Sequence, residues 1–209
     1  MLFTQGDEMN VAVLISGRGS NLQAILQAEK ENKLGNANVK LIVSNNPEAI
    51  GLKYSKQYGV HSLILDSSTF ETNKNFELKL IQALQEYNIE LIVLAGFMQI
   101  LTEEFIDLYY GKVINIHPSL LPSFPGLDAQ NQALEHGVKI SGCTVHFVNA
   151  EVDSGPIILQ EAVKISDSDT EEILSEKILK IEHQLLPLAI SLISTEKVSI
   201  EGRIVRIEE

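Results

Sequence analysis

Short runs of apolar residues alternate with segments of helical composition through the first half of the chain. Residues 11–15 and 91–95 are continuous apolar runs, which is typical of strands buried on both faces. Strands are also predicted at 39–43 and 63–65, and helices at 22–33, 48–57 and 70–87. This alternation predicts an α/β fold with an open, mostly parallel twisted sheet and helices on both faces.

The second half of the chain has a different predicted order of strands and helices. Strands are predicted at 113–116, 144–148 and 156–163, a long helix at 170–191, and a final edge strand at 203–207. Pro187 is expected to kink or break the long helix near Leu186, because proline cannot donate the helical hydrogen bond. We expect a single domain over residues 1–209, in which residues 9–110 form a nucleotide-binding half and residues 111–209 complete the site.

Composition excludes several classes of protein. The 28 acidic residues exceed the 16 basic ones, for a net charge of -12, which argues against a reader of the nucleic-acid backbone. Cys143 is the single cysteine, and no His, Cys and carboxylate set has metal-ligand spacing. The N-terminus lacks signal-peptide features, and no apolar run reaches the roughly 20 residues of a membrane span. We expect a cytoplasmic protein without a metal that binds neither nucleic acid nor membrane.

A glycine-rich loop follows the first predicted strand and precedes a predicted helix. Its residues are Ser16, Gly17, Arg18, Gly19, Ser20 and Asn21. Glycines let an oxyanion approach the backbone, and the start of a helix presents free amide groups with a positive dipole end. The loop lacks the lysine of a nucleotide-triphosphate loop and the third glycine of a dinucleotide fingerprint. The pattern favours phosphate binding, and a glycine turn with a helix cap is the alternative.

Two polar residues share one face of the strand predicted at 113–116. Asn115 and His117 lie two positions apart, and side chains at this spacing point the same way. A histidine can serve as acid or base near neutral pH, and an asparagine amide can donate to a developing oxyanion. The alternative is a pair of half-buried hydrogen-bonding residues. Asp153 could orient His117 and raise its pKa, or could simply form a turn.

Four segments together resemble the phosphoribosylglycinamide formyltransferase family. They are the glycine motif at 17–22, the runs Leu-Ala-Gly-Phe-Met at 94–98 and Asn-Ile-His-Pro-Ser-Leu-Leu-Pro at 115–122, and the segment 142–148 that leads to Asp-Ser-Gly-Pro at 153–156. The resemblance covers nearly the whole chain. It implies a Rossmann-like formyltransferase fold, small-molecule substrates and a monomer or homodimer.

The resemblance also implies an activity and assigns residues to it. The activity is transfer of the formyl group of 10-formyltetrahydrofolate to the amine of 5-phosphoribosylglycinamide, in de novo purine (IMP) biosynthesis. The implied catalytic residues are Asn115, His117 and Asp153. The implied ribonucleotide-binding residues are Gly19, Ser20, Asn21 and Glu182. The implied folate-binding residues are Met98, Gln99, Ile100, Leu101, Asn115, Asn149, Ala150, Glu151, Val152 and Asp153.

Three other functions remain open from the sequence. A 10-formyltetrahydrofolate hydrolase would share the three catalytic residues, but such enzymes normally carry an N-terminal regulatory domain. A methionyl-tRNA formyltransferase would add a C-terminal RNA-binding domain, and the acidity of this chain is wrong for tRNA. A non-catalytic ribonucleotide-binding module would explain the glycine loop and leave Asn115 and His117 without a purpose.

Overall fold

The computed structural model describes residues 8–208, which form nine strands and six α-helices. The strands are β1 (Met9–Ile15), β2 (Ala37–Ser44), β3 (His61–Ile64), β4 (Leu91–Leu94), β5 (Val113–His117), β6 (Ile140–Phe147), β7 (Ile157–Lys164), β8 (Val198–Glu201) and β9 (Ile204–Ile207). The helices are α1 (Ser20–Lys30), α2 (Lys53–Tyr58), α3 (Asn73–Glu86), α4 (Glu103–Leu108), α5 (Ala129–Glu135) and α6 (Glu171–Ser194).

Seven strands form one sheet in the order β3-β2-β1-β4-β5-β6-β7. The first five strands of this order are parallel, whereas β6 runs antiparallel to both β5 and β7. Strand β1 is buried on both faces: Val13 packs in the core layer that contains α1 and α6, and Leu14 packs in the layer that contains α3 and α4. The predicted mostly parallel sheet with helices on both faces is confirmed.

Some predicted elements have different bounds in the structure, and some elements of the structure were not predicted. The segment predicted as a helix from residue 48 begins as a 3-10 turn at Ile50–Leu52 before α2. The short helices α4 and α5 were not predicted, because six or seven residues give too little periodic pattern. The strand predicted at 203–207 is β9, which pairs with β8 in a separate hairpin rather than at the edge of the main sheet.

The expectation that Pro187 breaks the long helix near Leu186 is wrong, and a kink there stays a prediction. Helix α6 continues through Pro187 to Ser194, and its residues Leu186, Ala189 and Ile190 are fully buried against the sheet. Burial of this apolar face outweighs the lost hydrogen bond, because tertiary packing supplies most of the stability of a helix in a protein.

Two further expectations concern the chain as a whole. Within residues 8–208, no helix combines the length and the apolar character needed to cross a membrane. The single domain over 1–209 and its halves at 9–110 and 111–209 stay a prediction, and residues 1–7 and 209 lie outside the described residues.

Candidate active site

A cleft of about 800 Å³ opens at the carboxyl ends of β1, β4 and β5. This is the edge at which parallel α/β sheets commonly bind ligands. The glycine loop and Gly96 line one side of the cleft, and helix α6 lines the other through Glu171, Glu172, Glu176 and Glu182. All four residues predicted to bind the ribonucleotide line this cleft, namely Gly19, Ser20, Asn21 and Glu182.

The glycine loop is packed tightly against the turn that follows β2. Gly19 has a φ of 71°, and a Cβ at this residue would lie 2.6 Å from the Cα of Gly51. The Gly51 amide donates a hydrogen bond of 3.0 Å to the carbonyl oxygen of Gly17. The fold therefore requires glycine at position 19 for its own reasons, so the structural alternative and the phosphate hypothesis both fit this residue.

The start of helix α1 supplies hydrogen-bond donors. Helices α3, α4 and α6 are each capped by a threonine hydroxyl, from Thr72, Thr102 and Thr170 respectively. Helix α1 begins after Gly19 with no side-chain cap among the described residues and no acidic residue in its first turn. Its first amide groups are therefore available to an anion, which the helix dipole also favours.

Asn21 and Glu182 join the two walls of the cleft. The Asn21 amide nitrogen donates a hydrogen bond of 2.8 Å to Oε2 of Glu182. Burial raises the pKa of Glu182, although this bond and the charge of Arg18 lower it. The Oδ1 atom of Asn21 is buried without a partner in the described part of the chain. An anionic phosphate cannot donate to this oxygen, so the Asn21 side chain is suited to a hydroxyl, while its backbone amide can face the phosphate.

Charge is distributed unevenly in the cleft. Among the described lining residues, Arg18 carries the only positive charge, whereas helix α6 contributes four carboxylates. An anionic group therefore has one favourable position, beside the glycine loop, and is repelled near α6. Arg18 was quoted in the glycine motif but was not assigned to the site, because a lone arginine in a sequence does not show its electrostatic surroundings.

The three predicted catalytic residues come together. Nδ1 of His117 lies 3.2 Å from Oδ2 of Asp153, and the Asn115 amide nitrogen donates to Oδ1 of Asp153 at 3.4 Å. The Gly126 amide donates a hydrogen bond of 2.8 Å to the same carboxylate. Asp153 is only 11% exposed. The sequence identified the residues, and tertiary structure brings Asp153 to a strand 36 positions earlier in the chain.

His117 is engaged on both ring nitrogens. Its Nε2 lies 2.8 Å from the carbonyl oxygen of Phe124, so this nitrogen carries a proton, because a carbonyl can only accept. Burial lowers the pKa of His117 by more than the Phe124 carbonyl and the Asp153 charge raise it. Asp153 raises the pKa of His117, as the sequence suggested, but desolvation of the charged ring lowers this pKa by more.

The pKa of Asp153 is lowered, so this residue is a carboxylate at neutral pH. Burial raises its pKa, but the neighbouring His146 side chain, the hydrogen bond from the Gly126 amide and the charge of His117 lower it by more. Asp153 has a φ of 50°, a left-handed conformation that aspartate tolerates better than most residues. A Cβ on Gly155 would lie 1.7 Å from the Phe147 carbonyl oxygen, so this glycine lets the loop fold back onto β6.

His146 is a fourth member of this cluster, and the sequence indicated only a core or supporting role for it. The residue lies opposite Asn115 in the antiparallel β5–β6 pair. Its Nδ1 faces the Phe147 carbonyl at 2.8 Å and therefore carries a proton. Its Nε2 then accepts from the Asn115 amide at 3.3 Å and lies 3.7 Å from Oδ1 of Asp153. The sequence could not place His146 opposite Asn115, because strand register depends on pairing between distant segments.

The predicted folate-binding residues lie on two loops. Residues 98–101 follow β4 and residues 149–153 follow β6. Met98, Ile100 and Val152 are 70%, 73% and 59% exposed. The two loops thus present apolar surface to solvent.

The two sides of β5 serve different parts of the site. Ile116 and Pro118 line the large cleft, so Asn115 and His117, which alternate with them, point to the opposite face of the strand. Leu101, which follows β4, packs with the core layer on that opposite face. The cleft and the polar cluster therefore meet at the carboxyl end of β5. In the described residues, no group of three or more His, Cys, Asp or Glu side chains could hold a metal ion.

The fold and the site define a formyl transferase. Residues 9–190 match the family described as "Formyl transferase", and the chain belongs to this family.

Three proteins illustrate what this chain is similar to. The phosphoribosylglycinamide formyltransferase of Escherichia coli (strain K12) is 44% identical over 88% of this chain and 86% of its own length. The crystal structure of glycinamide ribonucleotide transformylase 1 from Symbiobacterium toebii is 45% identical, with a TM-score of 0.95 over 100% of this chain and 98% of that one. The trifunctional purine biosynthetic protein adenosine-3 of Homo sapiens is 41% identical over 95% of this chain. The chain spans only about a fifth of that protein's length.

Proposed function

We propose that the protein transfers the formyl group of 10-formyltetrahydrofolate to the amine of 5-phosphoribosylglycinamide, in de novo purine biosynthesis. The observation that carries the proposal is the cluster of Asn115, His117 and Asp153 at the carboxyl end of β5, the strand end whose other face lines a cleft that begins at an uncapped helix. Membership of the formyl transferase family supports the reaction class. The relatives named phosphoribosylglycinamide formyltransferase support the choice of acceptor.

The cleft suits a sugar phosphate. The amides of Gly19, Ser20 and Asn21 and the charge of Arg18 would hold the phosphate at one end. The buried pair of Asn21 and Glu182 would accept hydrogen bonds from ribose hydroxyls. Binding at this remote end fixes the orientation of the amine at the other, which lowers the barrier of the chemical step.

The residues beside the polar cluster suit the formyl donor. The exposed apolar side chains of Met98, Ile100 and Val152 would cover the faces of a flat ring system. The Oδ1 atom of Asn149 is buried without a partner in the described part of the chain, and it would accept a ring N–H group. When bound, 10-formyltetrahydrofolate supplies the formyl carbon.

In the proposed reaction, the polar cluster accepts the amine proton and stabilises the charge that develops on the formyl oxygen. The amine nitrogen forms a bond to the formyl carbon, the bond from that carbon to the folate nitrogen breaks, and one proton passes between the two nitrogens. Asp153 is a carboxylate with a lowered pKa and accepts the proton from the incoming amine, directly or through water. The Asn115 amide has two long contacts of 3.3 and 3.4 Å, and it can exchange one of them for the developing charge on the formyl oxygen.

An assay of acceptor dependence tests the proposal. Tetrahydrofolate formation from 10-formyltetrahydrofolate is followed with and without 5-phosphoribosylglycinamide, and turnover is expected only with the ribonucleotide. Formate release without the acceptor would instead identify a hydrolase, and binding of both compounds without turnover would identify a binding module. The purified Asp153→Asn variant serves as the matched control for contaminating activity.

A further inference from the structure

Ser16 connects three loops at the carboxyl edge of the sheet. It is the first residue after β1, its backbone amide donates to the Gly96 carbonyl at 3.1 Å, and its own carbonyl accepts from the Asn46 side chain at 3.1 Å. Gly96 follows β4 and Asn46 follows β2. The backbone of Ser16 therefore joins the start of the glycine loop to both neighbouring loops.

The Ser16 hydroxyl extends these connections. Its Oγ donates a hydrogen bond of 2.6 Å to Oδ1 of Asn45 and accepts one of 2.7 Å from the backbone amide of Met98. The Asn45 amide nitrogen in turn donates to Oε1 of Gln99 at 3.3 Å. A hydroxyl group can donate and accept at one atom, so Ser16 holds Met98 directly and Gln99 through Asn45. These are the first two residues of the donor-side segment, which we define as Met98–Leu101.

The donor-side segment is also fixed at its other end. Glu77 in α3 is 5% exposed, and its carboxylate accepts from the Thr102 amide at 2.6 Å and from the Thr102 hydroxyl at 2.5 Å. Between these two attachments, Met98 and Ile100 are mostly exposed. These two side chains therefore add little packing, so the segment is held by the hydrogen bonds at its two ends and by the packing of Leu101.

We propose that Ser16 is a positioning residue that holds the donor-side segment at a fixed distance from the ribonucleotide loop. The inference rests on the proposed function. Transfer between two substrates requires the reacting atoms to lie about 3–3.5 Å apart. Because Ser16 begins the glycine loop and its hydroxyl binds Met98, loss of the hydroxyl releases one substrate site from the other without removing any group that touches the transferred carbon.

Steady-state kinetics of Ser16→Ala test this role. The KM for 10-formyltetrahydrofolate is expected to rise about 5- to 10-fold, and the KM for the ribonucleotide is expected to change little. Ser16→Thr keeps a hydroxyl at the same position and is expected to restore the donor KM. A control is Ser55→Ala, which removes a hydroxyl that donates to Val60 at 2.7 Å away from the cleft, and it is expected to change neither KM.

A second variant protects the test against misfolding. Asn45→Ala keeps Ser16 but removes its acceptor and the contact to Gln99, so a smaller rise in donor KM is expected. Calorimetric binding of tetrahydrofolate without ribonucleotide is expected to weaken in both variants. Unchanged tetrahydrofolate affinity in both, or equal increases in the two KM values, would overturn the inference. If the unmodified protein transfers no formyl group, the proposed function fails, and the tetrahydrofolate titration still decides the role of Ser16.

Discussion

The glycine-loop side of the cleft and the polar cluster beside β5 are built in different ways. The glycine loop is six consecutive residues that lead into the uncapped start of α1. The polar cluster takes Asn115 and His117 from β5, His146 from β6 and Asp153 from the loop before β7. The proposed anchoring of a substrate thus involves one short segment, whereas the proposed chemistry depends on strand pairing and on a loop that folds back.

This difference in construction predicts different kinetic effects. Loss of a backbone-centred anchor weakens binding in the ground state and the transition state alike, so it raises KM. Loss of a group that acts on the transferred proton or on developing charge lowers kcat. Variants on the two sides of the site therefore separate the roles that we propose for them.

The largest effect is expected from Asp153→Asn. The substitution removes the proton acceptor while keeping an oxygen for the Gly126 amide, so kcat is expected to fall roughly 100- to 10,000-fold. The KM for the ribonucleotide is expected to remain close to its original value. The exposed Asp167, which pairs with Lys139, offers the control Asp167→Asn. Near-normal turnover of Asp153→Asn would remove this residue from the chemistry.

His146→Phe tests the support of Asn115. Phenylalanine keeps a ring in the buried position but cannot accept the Asn115 amide, so kcat is expected to fall about 10-fold. The KM for the ribonucleotide is expected to stay unchanged. The exposed His61 on β3 allows His61→Phe as a control with unchanged kinetics. A loss of ribonucleotide binding in His146→Phe, with kcat intact, would contradict the assignment to the polar cluster.

Asn21→Ala tests the glycine-loop side of the cleft. It removes the side-chain link between α1 and Glu182 and leaves that carboxylate buried without its donor. The ribonucleotide KM is expected to rise about 10-fold with little change in kcat. Initial rates at varied ribonucleotide concentration measure it. An unchanged KM would indicate that the polar groups of the glycine loop serve the fold alone.

Arg18→Gln is expected to have a smaller effect of the same kind. Arg18 is the only positive charge among the described residues of the cleft lining, but it is exposed to solvent, where its attraction for phosphate is screened. We expect the ribonucleotide KM to rise about 3- to 5-fold at low salt, with a difference that shrinks as salt is added. Arg203→Gln, on the β8–β9 connection, is the control. A difference independent of salt would argue against an ionic contact.

The smallest effect concerns the pH dependence of stability through Glu182. Burial raises its folded pKa above the ordinary 4.5, so its contribution to the free energy of unfolding is fully present below pH 4.5 and is lost as pH rises through the folded value. Urea unfolding between pH 4 and pH 7 should therefore show Glu182→Gln gaining stability relative to the original protein as pH rises. The exposed Glu176 on the same helix provides the control Glu176→Gln. A constant difference across this range would contradict the raised pKa.

Local patterns in the sequence determined much of the fold and part of the site. The continuous apolar strands and the intervening helices predicted the parallel sheet, because both signals depend on residues that are close in the chain. The glycine loop and the shared face of Asn115 and His117 were also readable, since a strand alternates its side chains with a period of two. The same reasoning overestimated the tendency of Pro187 to break its helix, because that helix is stabilised by burial against the sheet.

Tertiary structure alone decided which side chains of the site meet. Asp153 reaches His117 because Gly155 lets its loop approach β6, and His146 faces Asn115 because of the antiparallel register. The lowered pKa of His117 follows from burial that no neighbouring residue in the sequence predicts. The hydroxyl of Ser16 gains its role from loops after three different strands. Sequence patterns report the local geometry of the chain, whereas distances, desolvation and hydrogen-bond partners arise only when distant segments pack together.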